Sequence, residues 1–519
     1  MRKSLVVLAI AGALVMTTAL SPAYAQARTD VKVGLVLEPP SLDPTAEAAA
    51  AVDEVVYANI FEGLTRFASD GSIVPGLAES WEISEDGLTY TFHLHGGVAF
   101  HDGTAMDAED VKFSLERINA EGSLNAQKAL YAAIASVEAV DPLTVRITLS
   151  KPDGNFVYNL AWGDAVIVAP ETAATNGTKP VGTGPFVFKE RRPGDSIEIA
   201  KNATYWGTPA ALESATFRYI ADPTAALAAL QAGDVDVFPN FPAPETVSVF
   251  QSDPRFRVVV GTTQGETILT MNNSKPPLDN VKVREAIAHA IDRQAVVDGA
   301  MFGFGIPIGT FWPPTHPDYV DLAALSNYDP EKSKVLLAEA GVANPKLTLH
   351  LPPAPYARRG GEIIAEQLRA VGIEVEVINV EWAQWLSPEV FRAAPCPGAV
   401  GEGDKPPAYD GSCPATFSYD LTIVSHTEPN DIGIFARDDY YFAYHSDAFK
   451  QIIADYAVTA DPAKRSELIK AAQTQIANDF VAGYLFELAK VGVEDARLKG
   501  MWENAPTQAT DLTAVHWEE

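Results

Sequence analysis

Two stretches of the chain show an extended segment, then a helix, then a second extended segment. In the first stretch, residues 215–220 are extended in character, and Asp222 followed by Pro223 is typical of a helix start. Gly233 falls where that helix should end, before a second strand at 235–238. This pattern predicts parallel strands joined by a helical crossover.

A second unit of the same kind follows later in the chain. Residues 347–351 are strand-like, 362–371 are helical, and Gly372 ends the helix. Apolar and acidic residues then alternate over 373–377, as in a strand with one buried face. Two such units predict an α/β fold.

Apolar residues at helical spacing predict further helices between the two units. One predicted helix places five residues on a single buried face: Val283, Ile287, Ala290, Ile291 and Ala295. Another is predicted to begin at Asp329-Pro330 and to end at Gly341.

The α/β pattern occurs on both sides of residue 268, which predicts two lobes. Residues 45–179 differ, because short alternating runs such as 89–94 and 145–149 are interrupted by turns. We therefore expect an extra subdomain inserted in the first lobe. Ligands of paired α/β lobes usually bind in the crevice between them.

The composition excludes several classes of protein. The chain has 519 residues, 47% of them hydrophobic, with 38 Lys and Arg against 68 Asp and Glu and a net charge of -30. This apolar content excludes a disordered chain, and the length predicts two or more packed units. The acidic excess would repel phosphate backbones and anionic lipids, so nucleic acid is not an expected partner.

The first 25 residues have the layout of a secretory signal peptide. Arg2 and Lys3 precede an apolar run at 5–20, and Ala23-Tyr24-Ala25 offers a cleavage site before Gln26. The run is shorter than the roughly 20 residues that a membrane-spanning helix needs, and an uncleaved anchor is the alternative. The mature chain is therefore expected to be exported and soluble.

Cys396 and Cys413 lie in a segment rich in proline, glycine and aspartate. In an oxidising compartment this pair is predicted to form a disulfide, with two unpaired thiols as the alternative. Two cysteines lack the four-ligand spacing of a structural zinc site.

Motifs for catalysis or cofactor binding are few. The sequence lacks the phosphate-binding Gly-x-x-x-x-Gly-Lys-Ser/Thr, His-Glu-x-x-His and Gly-x-Ser-x-Gly patterns, and no cofactor is predicted. His93, His95 and His101 come nearest to a metal cluster, but solvated histidines on an antiparallel pair are the favoured interpretation. The adjacent Asp438 and Asp439 would suit a hydrolase, although an acidic chain contains such pairs by chance.

Aromatic residues near predicted strands are candidate ligand contacts. Trp382 and Trp385 follow a strand that ends near Val380, and Phe311 and Trp312 belong to an apolar loop. Rigid aromatic faces hold ligands in binding crevices. The alternative for each of these residues is ordinary packing within a lobe.

Seven short motifs occur in order along nearly the whole of the predicted mature chain. They are Ser41-Leu42-Asp43-Pro44, 57–64 (YANIFEGL), 75–81 (PGLAESW), Phe100-His101-Asp102-Gly103, 181–186 (VGTGPF), 230–236 (LQAGDVD) and 283–287 (VREAI). Together they strongly resemble the family 5 extracellular solute-binding proteins of ABC importers, which include dipeptide, oligopeptide and nickel binders.

This resemblance implies a two-lobed periplasmic binding protein fold with an extra subdomain inserted in the first lobe. The expected divisions are a signal peptide at 1–25, a first lobe at 26–268 with its insert at about 45–179, a second lobe at 269–483, and a return to the first lobe at 484–519. A hinge is expected at two crossovers near 267–272 and 481–485.

The implied function is that of a periplasmic substrate-binding component. We expect a monomer that does not span the membrane, encloses a peptide or peptide-like solute between its lobes, and delivers it to the permease subunits of an ABC importer. It is not expected to be an enzyme.

The resemblance also indicates where the ligand is held. In dipeptide-binding members, a carboxylate near the segment that resembles 425–429 holds the ligand's amino group, and a basic residue at the strand end that resembles 351–353 holds its carboxylate. Neither group is at the matching position here, so a simple dipeptide is not the expected ligand. The candidate ligand-binding residues are Trp312, Trp382, Trp385, His426, Glu428, Asp431 and Arg437.

These candidates have different expected roles. Glu428, Asp431 and Arg437 are substitute anchors, with solvated loop charges as the alternative, and His426 would donate to a carboxylate or an amide oxygen. Other ligands for such a crevice are an opine, a small saccharide or a chelated metal. The alternatives from other classes are an exported hydrolase and a periplasmic chaperone that binds unfolded chains.

Overall fold

The computed structural model of the chain describes residues 28–46, 49–398, 409–427, 431–459 and 461–519. The predicted signal peptide at 1–25 and the candidate anchor Glu428 lie outside these ranges. Within them, no helix combines the length and the apolar character needed to cross a bilayer.

Nineteen strands occur in the described ranges. They are β1 (Asp30–Leu35), β2 (Thr65–Phe67), β3 (Ile73–Pro75), β4 (Ala78–Ile83), β5 (Thr89–Leu94), β6 (Ile134–Asp141), β7 (Thr144–Leu149), β8 (Phe186–Arg192), β9 (Ser196–Lys201), β10 (Ser214–Tyr219), β11 (Val237–Phe238), β12 (Phe256–Met271), β13 (Gly305–Pro307), β14 (Lys346–Leu351), β15 (Glu374–Asn379), β16 (Leu421–His426), β17 (Ala482–Asp495), β18 (Leu498–Lys499) and β19 (His516–Trp517).

The same ranges contain twelve α-helices. They are α1 (Ala50–Val56), α2 (Ala108–Asn119), α3 (Phe156–Asn159), α4 (Pro223–Ala232), α5 (Ser248–Gln251), α6 (Val281–Ala290), α7 (Arg293–Met301), α8 (Pro330–Glu339), α9 (Pro355–Ala370), α10 (Trp382–Trp385), α11 (Asp447–Val458) and α12 (Pro462–Asn478).

Eleven strands form one continuous mixed sheet. Its order is β15-β14-β16-β12-β17-β11-β1-β10-β9-β8, and β13 also pairs with β17. The long strands β12 and β17 run antiparallel through the middle. We call the part of the molecule around β1 and β8 to β11 the first lobe, and the part around β13 to β16 the second lobe.

Both predicted strand-helix-strand units are confirmed. In the first, the Asp222 carboxylate accepts a hydrogen bond of 2.8 Å from the Ala225 amide at the start of α4, and Gly233 ends the helix with a φ of 75°. In the second, β14 and β15 are parallel and are joined by α9, which begins earlier than predicted, at Pro355. The second predicted helix between the units is α8, with Asp329 as its N-cap.

The single helix predicted over 283–295 is wrong. Helix α6 ends at Ala290, Ile291 is extended, and α7 begins at Arg293. The reason is local, because the Asp292 side chain accepts a hydrogen bond of 3.0 Å from the Ala295 amide and so caps a new helix.

Two apolar cores lie on opposite faces of the second-lobe half of the sheet. Along β12, Leu269 and Met271 face a core that includes residues of α6, α7 and α9. Ile268 faces the other way, into a cluster rich in aromatic residues that includes Trp385 and Tyr441. This alternation is the period of two that a strand imposes. We call the second cluster the aromatic core.

A separate antiparallel sheet of four strands, β4-β5-β7-β6, lies within residues 78–149. It packs against α2 around its own apolar core, which includes Phe92, Leu115 and Ile147. These residues fall within the predicted insert at about 45–179, and we call this part of the first lobe the insert.

The two long strands change register where they pass between the lobes. Thr262 pairs with Ala489 and the next pair is Glu266 with Glu487, so that residues 263–265 stand outside the ladder. Such irregularities interrupt the ladder hydrogen bonds and bend a strand. The break begins slightly before the hinge position expected on β12, and the exact lobe boundaries remain predictions.

Candidate functional site

A crevice lies between the insert and the second lobe. It contains a cavity of about 340 Å³ that residues of both parts line, among them Trp81, Tyr90, Asn155 and Tyr158 on one side and His316, Asp318, Tyr456 and Arg465 on the other. Aromatic walls with a few polar groups are typical of sites for small solutes.

Arg465 reaches across this crevice. Its guanidinium donates to the backbone oxygens of Tyr456 (2.8 Å) and Thr459 (3.2 Å) in the second lobe, and also to Oδ1 of Asn155 in the insert. The guanidinium carbon lies 3.9 Å from the centroid of the Tyr456 ring. Arg465 is therefore fixed to one side and contacts the other, so it stabilises an arrangement in which the two sides approach.

Gly154 permits this approach. Its amide donates a 2.9 Å hydrogen bond to the backbone oxygen of Ala457, which again joins the insert to the second lobe. A Cβ atom at residue 154 would lie 2.7 Å from the backbone oxygen of Thr459, which, unlike a side chain, cannot simply rotate away. A side chain here would hold the two sides apart.

Replacing Arg465 with alanine is expected to weaken solute binding about tenfold, because a hydrogen bond from a charged group is worth about 1.5 kcal/mol or more. Calorimetric titration with the tripeptide that gives the largest thermal shift measures the effect. The exposed neighbour Lys464 provides the control. Equal affinities of the Arg465→Ala and Lys464→Ala variants would show that the contact across the crevice does not contribute.

Three ionisable side chains lie side by side on the second-lobe half of the sheet. His426 of β16 pairs with Glu266 of β12, and Glu266 pairs with Glu487 of β17. Residues directly opposite each other in antiparallel strands share a face, with Cβ atoms about 4.5–5.5 Å apart. All three are buried, with exposed fractions of 6%, 4% and 0%. We call them the His-Glu-Glu row.

Burial dominates the electrostatics of Glu487. It raises the pKa of this carboxyl well above its ordinary value of 4.5, and the nearby Gly265 amide acts in the opposite direction. That amide donates a hydrogen bond of 2.9 Å to Oγ1 of Thr263. Among the residues that the structure describes, none donates a hydrogen bond to either carboxylate oxygen of Glu487.

The row faces aromatic groups from both lobes. Burial, with a smaller contribution from the charge of Glu266, raises the pKa of Tyr158 in the insert. Burial likewise raises the pKa of Tyr319 in the second lobe, and the charge of Glu487 contributes in the same direction. The charge of each glutamate therefore acts on one tyrosine, and these two tyrosines belong to different sides of the crevice.

The structure brings the candidates His426 and Asp431 together. Nε2 of His426 lies 2.9 Å from the Tyr441 hydroxyl, and its Nδ1 lies 3.4 Å from the Asp431 carboxylate. The ring of Phe311 packs edge-on against His426, with centroids 5.3 Å apart. These contacts fix the imidazole at the end of the row.

The three candidate tryptophans have different surroundings. Trp312 and Trp385 are buried in the aromatic core, and Trp385 donates a hydrogen bond of 2.9 Å to Oγ1 of Thr422. Trp382 is 41% exposed and lies edge-on to Trp385. Trp312 and Trp385 thus have contacts typical of lobe packing, whereas Trp382 presents a face to solvent.

Arg437 and the two aspartates that follow it are exposed and form ion pairs. Nε of Arg437 lies 3.1 Å from Asp439. Asp438 accepts a hydrogen bond of 2.6 Å from Lys450 and lies 2.9 Å from Nδ1 of His445. Such pairs are typical of a solvated surface.

The sequence analysis favoured solvated histidines over a metal cluster at His93, His95 and His101, and in the structure His95 and His101 have separate contacts. His101 contacts the backbone of Gly184 (2.9 Å) and Gly182 (3.3 Å), while the ring of His95 lies 4.7 Å from that of Trp206. Across the described ranges, no three His, Cys, Asp or Glu side chains are grouped as metal ligands would be.

The structure joins Cys396 and Cys413 by a disulfide, with Cα atoms 5.7 Å apart. The bridge closes a loop whose residues 399–408 are outside the described ranges. Ala393, three residues before Cys396, and Phe417, four residues after Cys413, belong to the aromatic core, so the chain enters that core on both sides of the bridge.

Two of the motifs that occur in order along the chain contact each other in the first lobe. The Glu62 carboxylate accepts hydrogen bonds from the hydroxyls of Thr183 (2.8 Å) and Tyr205 (2.7 Å) and from Nε1 of Trp206 (3.0 Å). Burial raises the pKa of Glu62, and these three donors act in the opposite direction. The motifs therefore build the scaffold of the first lobe.

The sequence analysis missed Glu266, Glu487, Tyr158 and Arg465. A signal was present for the two glutamates, because each is the only charged residue in a long uncharged stretch, 258–271 for Glu266 and 481–489 for Glu487. A lone charge in a buried strand indicates a special environment. Tyr158 and Arg465 carry no comparable signal.

The lobes, the crossing strands and the crevice define a periplasmic binding protein fold, and solved structures agree. HbpA2 from Haemophilus parasuis superposes with a TM-score of 0.81 at 25% identity, covering 94% of this chain and 100% of that chain. The ABC transporter-associated periplasmic binding protein DppA from Helicobacter pylori, in complex with the peptide STSA, gives a TM-score of 0.73 at 25% identity, covering 95% and 99%.

The family follows from the sequence comparisons. The model of bacterial extracellular solute-binding proteins, family 5 Middle, matches residues 72–393. The glutathione-binding protein GsiB of Pectobacterium atrosepticum is 32% identical over 499 residues, 93% of each chain. The chain therefore belongs to the family 5 solute-binding proteins, and it is a periplasmic substrate-binding component of an ABC importer. This family consists of binding proteins and not of enzymes.

Proposed function

We propose that the protein captures a peptide or peptide-like solute between its lobes and delivers it, chemically intact, to a membrane permease. The observation that carries this proposal is the crevice, which residues of both the insert and the second lobe line. The names of two similar proteins support the class of solute, because one is a glutathione-binding protein and the other was solved with a bound peptide.

The proposed mechanism is closure of the lobes about the break in β12 and β17. In this proposal the first lobe comprises 26–268, with its insert at about 45–179, and 484–519, and the second comprises 269–483. A solute that contacts both lobes favours the closed arrangement by the difference between its affinities for the two states. The hydrogen bond from Arg465 to Asn155 also joins the two sides of the crevice and favours the closed arrangement.

The proposed solute contacts are chosen from the candidate residues by their exposure and pairing. The exposed face of Trp382 and the paired His426 and Asp431 are the leading ones. Glu428 and Arg437 are retained as further anchors. Trp312 and Trp385 support the site from within the aromatic core.

Thermal-shift screening of the purified mature protein tests this function. The panel contains tripeptides built from uncharged residues, tested both singly and as a mixture, together with glutathione, an opine, small saccharides and chelated metals. A solute present at 100 times its Kd stabilises the folded state by about 2.7 kcal/mol, so a true ligand should raise the melting temperature clearly. We expect shifts with the peptides or with glutathione.

Mass spectrometry of the solute recovered after binding distinguishes capture from hydrolysis. An unchanged mass is expected. Cleaved products that disappear in an Asp438→Asn or Asp439→Asn variant would instead support the hydrolase. A shift with saccharides or chelated metals alone would contradict the proposed class of solute.

A further inference from the structure

Two carboxyl groups meet at the point where the long strands cross between the lobes. Glu266 and Glu487 are directly opposite each other, and the register of β12 and β17 breaks immediately beside them. Both are buried, and like charges placed directly opposite in a sheet are destabilising. Stability alone therefore does not account for this pair.

The carboxylate of Glu487 is buried without hydrogen-bond donors or a cationic partner among the described residues. Its side chain is 0% exposed, and in the described part of the chain it has no hydrogen-bond donor for either oxygen and no ion pair with a lysine or arginine. Burying a carboxyl group without such partners is costly, and the cost is removed if a cationic group comes to lie beside it. The raised pKa of Glu487 agrees with a group that lacks a cation.

The surroundings suit an ammonium group in particular. An ammonium has three N–H donors, which can be shared between two carboxylates that face each other across a strand pair. Aromatic rings also stabilise such a cation, and Phe311 packs edge-on against His426 at the end of the row. Tyr158 belongs to the insert and Tyr319 to the second lobe, so both sides of the crevice contribute to the electrostatic surroundings of the pair.

We propose that Glu266 and Glu487 form a subsite for the ammonium group of the solute, namely the amino end of a peptide or of an amino-acid derivative. This inference rests on the proposed function and adds a location for the positive charge. The sequence-based expectation named Glu428, Asp431 and Arg437 as substitute anchors and did not include Glu266 or Glu487. His426 lies at one end of the row, and its imidazole contacts the Tyr441 hydroxyl.

Thermal melts with two matched probes test the subsite. The first probe is the mixture of tripeptides of uncharged residues, and the second is the same mixture after N-acetylation, which removes the ammonium and leaves the rest of each peptide. Wild type is compared with Glu487→Gln, with Glu266→Gln, and with Glu376→Gln as a control on the exposed face of β15. Calorimetry then gives the affinities.

The expected result has two parts. Wild type and Glu376→Gln should respond to the free-amine mixture much more than to the acetylated one, and Glu487→Gln and Glu266→Gln should lose roughly 10- to 100-fold in affinity for the free-amine mixture. Without a probe, Glu487→Gln should melt at the wild-type temperature or a few degrees higher, because one of two opposed carboxyl groups becomes neutral. A residue that only supports the fold would instead lower the melting temperature.

The contradicting results can be told apart. If wild type binds both mixtures equally and Glu487→Gln changes neither, the subsite is wrong while the peptide-binding function stands. If wild type responds to neither mixture, the peptide function itself is wrong and the subsite falls with it. If Glu487→Gln melts lower and loses both mixtures alike, its role is structural and the subsite is wrong.

Discussion

Replacing Trp385 with alanine is expected to lower the free energy of unfolding by about 3–5 kcal/mol. The side chain is 4% exposed, and its ring stacks on Phe391 with centroids 5.2 Å apart and meets Tyr441 edge-on. The variant also loses the hydrogen bond from Nε1 to Thr422. Urea denaturation followed by circular dichroism measures the change.

Trp382 is the matched control, because it has the same side chain three residues earlier and is 41% exposed. Its replacement by alanine removes one edge-on contact with Trp385 and should cost about 1 kcal/mol. If Trp382 contacts the solute, that variant loses affinity with little loss of stability. Equal stability losses for the two variants would contradict the assignment of Trp385 to the aromatic core.

The second large effect is expected at Glu62 in the first lobe. The Glu62→Leu variant removes the acceptor for three donors at once, of which Thr183 is fully buried. Buried donors left without a partner cost about 1–3 kcal/mol each, so we expect a loss of about 3–5 kcal/mol. Denaturation of the purified variant gives the value.

Two further variants show whether the lost acceptor causes the effect. Glu62→Gln keeps a carbonyl oxygen and should cost about 1 kcal/mol. Glu82→Leu makes the same change on an exposed stretch of β4 and should remain within about 0.5 kcal/mol of wild type. A Glu62→Leu protein as stable as Glu82→Leu would show that the contact between the two motifs does not stabilise the lobe.

The strand-helix-strand units could be predicted because their signals are local. Asp222 and Gly233 are a start and an end that act within a few residues, and the structure uses both as expected. The prediction of a single helix over 283–295 was wrong for a related reason. Its apolar periodicity continued through Asp292, and only the hydrogen bond from the Ala295 amide reveals that this carboxylate begins a new helix.

The site was less predictable, because it depends on register and on lobe contact. Glu266 and Glu487 are 221 positions apart, and they become neighbours only through the pairing of β12 with β17 around an irregular break. The contact between Arg465 and Asn155 joins residues 310 positions apart on opposite sides of the crevice. Patterns of residue spacing within one segment cannot predict contacts between residues so far apart in the chain.

The environments of the candidate tryptophans could be predicted only in part from the sequence. These residues were expected to be either ligand contacts or part of ordinary lobe packing, and the structure places Trp312 and Trp385 in the aromatic core. Which of them is buried depends on the fold. Trp385 lies in the aromatic core beside Tyr441, whereas Trp382, on the same short helix, faces solvent.

Small-angle X-ray scattering of the mature protein, with and without a saturating amount of the peptide that gives the largest thermal shift, tests the central claim most directly. Closure of the lobes over the solute predicts a smaller radius of gyration in the complex, and the Arg465→Ala variant should need more peptide to reach it. An unchanged radius at saturation, with binding verified in the same sample, would contradict capture by closure.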